Sequence, residues 1–515
     1  MTPDVIVLGG GHNGLAAATI LAREGRQVLV LEKRAILGGL AAGEEFHPGC
    51  RTQGLHLDTS GLRRDVISEL ELERHGLKLR GEDPPVFIPS ENGKGLILHR
   101  DPDRMQDLIG TGLSAEDLAG YRGYRKFIKR ISGIVRHVLD TEPPPLADHG
   151  VDGMLQLLST GLRLRALGRA DMLELLRIAP MCSGDWLKEQ FAGELVRSAL
   201  AGPSVEGTFM GPWSAGTTAA LLLRECIAET NAEGGPAAVV KALEAAAKEA
   251  GVEIRTGAPV KTIQLADGKA AGVVLEDGEE IAAGLIVSSC DPKTTFLRLI
   301  SAAQLPLSLA EPIRLIRARG TAAKVNLALK GALEFDGWEG KVFEHIRTGE
   351  TLDDIERAFD AVKYGEFSKK PHLEIKVPTV ADPSLAPAGH HVVEILVHFA
   401  PYDLKGGWND RQRAALGDTV VERLAAYAPK LKEQIVGREV LTPKDIEERY
   451  GTAGGHIYHG EPFLDQLYSL RPTVDTAQYA TPISGLYLCG SGSHPGGGVT
   501  CMPGTLAAEA VLARS

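Results

Sequence analysis

The chain has 515 residues, 43% hydrophobic, 24% charged and 5% aromatic, with a formal net charge of −11. That length holds two or three domains with ample core, and the acidic balance excludes nucleic acid as an expected partner, because a phosphate backbone calls for a basic face. The six cysteines, at 50, 182, 226, 290, 489 and 501, form no C-x-x-C pair, which points to reduced thiols in a cytoplasmic compartment and away from a disulfide framework or a metal site. Only Met1-Thr2-Pro3-Asp4 stands before the first apolar run, so no signal peptide is expected. No apolar run reaches the roughly twenty residues of a spanning helix.

The first predicted element is a strand, Val5-Ile6-Val7-Leu8. It runs into Gly9-Gly10-Gly11-His12-Asn13-Gly14 and then a helix with Leu15, Ala18, Leu21 and Ala22 at helical spacing. Strand, G-x-G-x-x-G and helix make the layout of a dinucleotide-binding βαβ unit. Gly9 permits the tight turn, Gly11 lets a pyrophosphate approach the backbone, and Gly14 lets the helix pack on the sheet. The helix start offers free N–H groups to phosphate. Gly25 ends the helix, a second strand covers Gln27–Leu31, and Glu32 stands at its end. There an acid can accept hydrogen bonds from an adenosine ribose and disfavours a 2′-phosphate, so FAD or NAD is expected over NADP.

Glu32-Lys33-Arg34 leads to Gly38-Gly39, a glycine pair that resembles the second phosphate-binding segment of FAD-dependent oxidoreductases; Leu40 stands where an arginine is usual in that pattern. With Gly11–Leu15 and Glu45-Phe46-His47-Pro48-Gly49, the pair resembles the phytoene desaturase-like branch of the wider flavin amine oxidase superfamily. That branch takes in the pyridine nucleotide-disulfide oxidoreductase domain-containing protein 2 group and the carotenoid ketolases and isomerases.

The resemblance implies an α/β fold: a discontinuous Rossmann-like FAD-binding domain (residues 1–75, 232–310 and 440–515) with an inserted α+β substrate domain (76–231 and 311–439). It also implies that the chain passes the flavin after Gly49–Gly54, near His56, before a mostly helical stretch from about 76 to 230. Tyr124 to His137 predicts a helix with Phe127, Ile128, Ile131, Ile134 and Val135 on one face and Arg125, Lys126, Lys129, Arg130 and Arg136 around it. A helix of this kind either packs on its own domain with a solvated basic face or lies on a membrane surface, and Gly161-Leu162-Arg163-Leu164-Arg165 poses the same choice. Gly207–Thr217 is similar to the same branch.

A helix follows at Ala237–Ala250, then a strand at Val252–Arg255 continuing through Thr256–Val260, a hairpin of Val273–Leu275 and Ile281, and a buried strand at Gly284–Ser289. The resemblance implies that the backbone near Val260 contacts the adenine. Lys324 opens a strand in Arg319–Leu327, where a flavin amine oxidase holds a water near flavin N5 with a lysine at similar spacing; the other reading is a lysine on an alternating strand. His456 and His459 lie in Gly454–Glu461, expected on the substrate side. The strand Gly485–Gly490 enters a glycine-rich loop through Gly504, with His494, Gly498 and Val499 inside it, and a helix from Thr505 to Arg514 closes the chain. A strand, a glycine-rich loop and a helix start again suit a pyrophosphate or a flavin.

The expected FAD contacts are therefore Gly9, Gly11, His12, Asn13, Gly14, Glu32, Lys33, Gly38, Gly39, Val260, Gly490, Gly498 and Val499, and the expected catalytic residues are Lys324, His494 and His56. No metal-ligand spacing is present. The expected activity is hydride transfer between flavin N5 and a carbon–carbon bond of an apolar, isoprenoid- or carotenoid-like substrate. With a single dinucleotide fingerprint, the flavin is expected to pass electrons to oxygen or a quinone. The alternatives are an amine oxidase, a redox-neutral carotenoid isomerase and a non-catalytic FAD-binding interaction protein. The expected location is cytoplasmic, with peripheral membrane contact open.

Overall fold

The computed structural model describes residues 2–108, 112–146, 150–229 and 231–514. Strands Val5–Leu8, Val28–Leu31, Glu253–Arg255, Leu285–Ser288 and Leu486–Leu488 form one sheet in which every pairing is parallel. Val5–Leu8 is the central strand, flanked by Val28–Leu31 on one side and Leu285–Ser288 on the other. Successive strand side chains point to opposite faces. Val5, Val7, Val28 and Val30 pack on helices His12–Arg23, Gly235–Glu249 and Met502–Arg514. Ile6, Leu8, Leu29 and Leu31 pack on a three-stranded antiparallel sheet (Val260–Ala266, Lys269–Leu275, Glu280–Ala282) and on helix Leu307–Leu315. Continuous apolar strands thus feed two cores at once, as a sheet covered on both faces requires.

Two boundaries differ from the sequence expectation. The strand ends at Arg255, and Val260 opens a strand of the neighbouring antiparallel sheet; the Gly257 and Ala258 amides bond the Arg34 and Glu32 carbonyls, which turns the chain out of the parallel ladder. The closing helix begins at Met502, three residues before Thr505. A methyl group on Gly504 would strike the Asn13 carbonyl, so that glycine brings the last helix against the first.

The second sheet has seven strands in the order Ile435–Leu441, Ala322–Lys330, His390–His398, Leu373–Lys376, His345–Arg347, Val86–Pro89 and Gly95–Leu98. Two of these interrupt the stretch expected to be mostly helical. One face is apolar: Val325, Leu327, Ile346, Ile375 and Ile395 pack against Leu416, Val420 and Leu424 of helix Asp410–Ala425. Strand alternation then puts Lys324, His345, Arg347, Glu374, Lys376 and Glu394 on the opposite face. Helix Ala115–Leu139 buries Phe127, Ile128, Ile131 and Ile134, and its Arg125, Arg130 and Arg136 pair with Glu225, Asp171 and Glu229. Lys126 and Lys129 of the same helix are exposed.

Candidate active site

A cavity opens at the carboxyl ends of four adjacent parallel strands, the position where open α/β sheets receive ligands. Gly9, Gly11, His12 and Asn13 follow the first strand, Glu32 the second, Ser289 to Asp291 the third, and Ser491 the fourth; all line it, with Gly38, Gly39 and Leu40. Glu32 is fixed by the Gly10 and Arg34 amides, each 2.8 Å from a carboxylate oxygen. Asn13 donates to Ser491 Oγ at 3.2 Å, and its buried Oδ1 is without a partner. His12 Nε2 lies 3.1 Å from the Gly498 carbonyl, which ties the first glycine loop to the last.

FAD passes a test of fit here. A Cβ built on Gly11 meets nothing within 4 Å, so the space beside that backbone is open; one on Gly14 would run into the Gly9 carbonyl, so there the backbone itself needs the space. An open approach at the start of a helix, a fixed carboxylate beyond the second strand and an orphaned amide oxygen together suit a pyrophosphate, a ribose and a polar ring edge. Seven expected contacts line this cavity: Gly9, Gly11, His12, Asn13, Glu32, Gly38 and Gly39.

Six others stand elsewhere. Gly14 is packed under the loop, and Lys33 points outward to the Glu448 carbonyl. Val260 is half-buried in the antiparallel sheet, off the cavity. Gly490 serves close packing, since its Cβ would strike the Ser289 carbonyl. Gly498 and Val499 line a second, larger cavity of about 290 Å³.

His56 lines both that larger cavity and the first. His56 is stacked on Tyr458 with centroids 5.5 Å apart and planes within 11°. Burial holds its imidazole well below the ordinary histidine value, and His12, Lys324 and Arg224 push the same way, so the ring is neutral. Tyr458 is itself held by the Arg224 guanidinium at 2.6 Å and by Glu206. Arg471, 2% exposed, donates to the carbonyls of Tyr458, Gly460 and Ser491 and so locks the substrate-side loop to the last glycine loop.

Of the three expected catalytic residues, only His56 reaches a cavity. Lys324 is 1% exposed and spends its donors on Glu394 Oε2 at 2.8 Å and the carbonyls of Gly54 and Leu55. It lines neither cavity. Glu394 Oε1 accepts from the Gln53 amide, so the pair is a clamp that positions the segment leading to His56. His494 is fully buried between Tyr468 and the end of helix Ala115–Leu139, beneath the cavity wall formed by Pro495 to Thr500. His459 lines the first cavity, His456 is buried behind it, and Gly207 packs on the Tyr458 ring.

Sequence reasoning missed Ser289, Asp291, Tyr450, Gly451 and Thr452 in the first cavity. Asp291 accepts from the Thr294 and Ala453 amides and joins the third strand end to the loop after helix Pro443–Tyr450. The signal for Ser289 to Asp291 was present: a polar run directly after a buried parallel strand.

The fold and site define an FAD-dependent oxidoreductase. Residues 14–511 match the family described as flavin containing amine oxidoreductase, and the chain belongs to that family. It is 33% identical to the rat pyridine nucleotide-disulfide oxidoreductase domain-containing protein 2, over 99% of this chain and 93% of the rat protein. It is 25% identical to the phytoene desaturase of Fusarium fujikuroi, over 99% of this chain and 89% of that one. Among solved structures, an oxidoreductase from Methanosarcina mazei matches with a TM-score of 0.60 at 19% identity, covering 99% of this chain and 100% of the other. Among the described residues no helix is long and apolar enough to cross a membrane, and no cluster of metal-ligating side chains occurs.

Proposed function

We propose that the chain dehydrogenates a carbon–carbon bond of a substrate with an apolar, isoprenoid-like chain. The observation that carries this is the larger cavity, which shares His56 with the FAD cavity and has Leu57, Val86, Leu98, Leu139, Leu223 and Ile227 in its wall. FAD, when bound, would supply the acceptor for the hydride, with oxygen or a quinone as the final electron acceptor. Two C–H bonds break and one C=C bond forms; one hydrogen leaves as hydride and the other as a proton. The neutral ring of His56 is the group placed to receive that proton, and Tyr458, fixed by Arg224 and Glu206, holds the ring flat. The apolar wall orients the chain and excludes water. The amine oxidase alternative leaned on Lys324, which is spent on Glu394.

Contact with a membrane surface belongs to the same proposal. Helices Gly150–Ala166 and Arg169–Ile178 leave Val151, Met154, Leu155, Leu158, Leu162 and Leu176 exposed, with Val151 at 75% and Leu162 at 62%. Arg163, Arg165 and Arg169 stand beside them and make no ion pair among the described residues. An apolar face with unpaired arginines on an acidic protein fits an anionic bilayer.

Anaerobic mixing of the purified flavoprotein with polyenes, acyl lipids and amines tests the reaction. Bleaching by an unsaturable hydrocarbon or acyl chain, with the desaturated product recovered, is expected. Bleaching by amines alone would replace the proposal with amine oxidation. Isomerised product without net bleaching would replace it with isomerase chemistry. No bleaching by any of them would leave an FAD-binding protein without turnover.

A further inference from the structure

The wall of the larger cavity also carries a dense set of charges: Arg63, Arg125, Arg224, Arg347 and Lys376 against Asp58, Asp83, Glu206, Glu225 and Glu374. Three pairs cancel within the wall, Arg125 with Glu225 at 2.5 Å, Arg224 with Glu206 at 3.1 Å, and Arg347 with Glu374 at 2.5 Å. The acids left over have chain donors. Asp58 accepts from the Ser60 amide and hydroxyl, and Asp83 from the Asn231 amide. Of the other cations in the wall, Arg63 pairs with Asp140 at 2.8 Å and Arg100 bonds the Ala228 and Glu229 carbonyls. The side chain of Lys376, at the end of strand Leu373–Lys376, makes no hydrogen bond or ion pair among the described residues. Arg63 is 4% exposed and bonds Asp140 and the Gly61 carbonyl, yet its buried Nη2 has no partner. The unspent donors are the Lys376 ammonium and Arg63 Nη2, and an unpaired donor away from water is costly until something accepts from it.

We propose that the substrate is amphipathic and carries a carboxylate, which Lys376 holds while its apolar chain lies along the leucine-rich wall toward His56. The inference rests on the proposed dehydrogenation and names the substrate class for the same cavity. The local electrostatics agree. Burial lowers the Lys376 ammonium below the ordinary lysine value, and Asp58, Glu344, Glu374 and Asp83 oppose that from the elements around it. The size agrees too, since about 290 Å³ lies at the low end of the roughly 300–1,000 Å³ typical of small-molecule sites.

The test uses the FAD-loaded protein with octanoate, octanamide and octylamine as probes, read by calorimetric titration and by melting temperature. Octanoate is expected to bind and stabilise, octanamide to bind at least about tenfold more weakly, and octylamine not to bind. Lys376→Met is expected to weaken octanoate about tenfold or more and leave octanamide unchanged, with Lys376→Arg retaining most of the affinity. Preference for octylamine, or octanoate affinity unmoved by Lys376→Met in a variant that keeps its FAD, overturns the inference. The two proposals fail separately. Octanoate held through Lys376 without bleaching by any substrate leaves the anion site and removes the dehydrogenation. Bleaching by a neutral polyene with kcat/KM indifferent to Lys376→Met does the reverse.

Discussion

Gly11 and Gly14 differ in what a methyl group would meet, and the difference separates cofactor binding from folding. At Gly11 the added carbon faces open space in the FAD cavity. Gly11→Val is therefore expected to fold, with circular dichroism like the parent, and to lose the flavin because the side chain fills the approach of the pyrophosphate. At Gly14 the added carbon collides with the main chain of Gly9, which cannot rotate away. Gly14→Ala is expected to push the helix off the sheet and cost about 1–3 kcal/mol or more, so yield and thermal stability fall even with excess FAD. The flavin-to-protein ratio and melting temperature of the two variants decide it. A Gly11→Val protein with full FAD content would refute this placement of the phosphate.

The elements differ in how much of them was legible in the sequence. Val5–Leu8, the glycine turn, helix His12–Arg23 and Glu32 were legible because all the partners lie within thirty residues and each is a local signal. The loop from Gly451 to His459 was not placed at the FAD cavity, because it arrives from outside the sheet and is held there by Asp291 and Arg471. Lys324 shows a different limit. Alternation puts it on one of two faces, but only the pairing with Glu394 and the Gly54 carbonyl shows that its face is sealed. Helix Gly150–Ala166 shows a third, since apolar spacing does not say what covers a face. Here nothing in the described chain covers Leu155, Leu158 and Leu162. Flotation with anionic and with zwitterionic vesicles measures whether a bilayer does. Binding to anionic vesicles is expected, with loss on high salt and in Leu155→Glu/Leu158→Glu/Leu162→Glu, while FAD content stays unchanged. Equal flotation of parent and variant would remove the membrane from the proposal.

Across the whole molecule, the region around the two cavities holds histidines kept neutral by burial. His12 is lowered to about 4, His456 and His494 to about 3, each chiefly by burial, with the Arg471 guanidinium adding to the last two. Unfolded, the same side chains bind a proton near pH 6.5. Between pH 6.5 and about 4 the unfolded chain therefore holds more protons than the folded one, and stability rises with pH across that window. The contribution is complete above pH 6.5 and is lost as the solution is acidified, at about 1.4 kcal/mol per pH unit for each histidine, or roughly 4 kcal/mol for the three together. Depressed carboxylates such as Asp117 and Asp445, held by backbone and side-chain hydrogen bonds, add their loss only in more acid solution. At roughly 2 cal/mol/K per residue, a chain of 515 residues melts about 1 °C lower for each kcal/mol lost. The melting temperature of the flavoprotein is thus expected to be flat from pH 8 to 7 and to drop by at least about 4 °C per unit below pH 6.5, since His56 and His372, also lowered by burial, add to the loss. Flavin should be released in the same range, because His12 bridges the first and last glycine loops through the Gly498 carbonyl. Scanning fluorimetry with flavin emission as a second channel reads both. A melting temperature that stays level from pH 7 to 5 would mean these rings accept protons without unfolding, and the neutral-histidine assignment would be wrong.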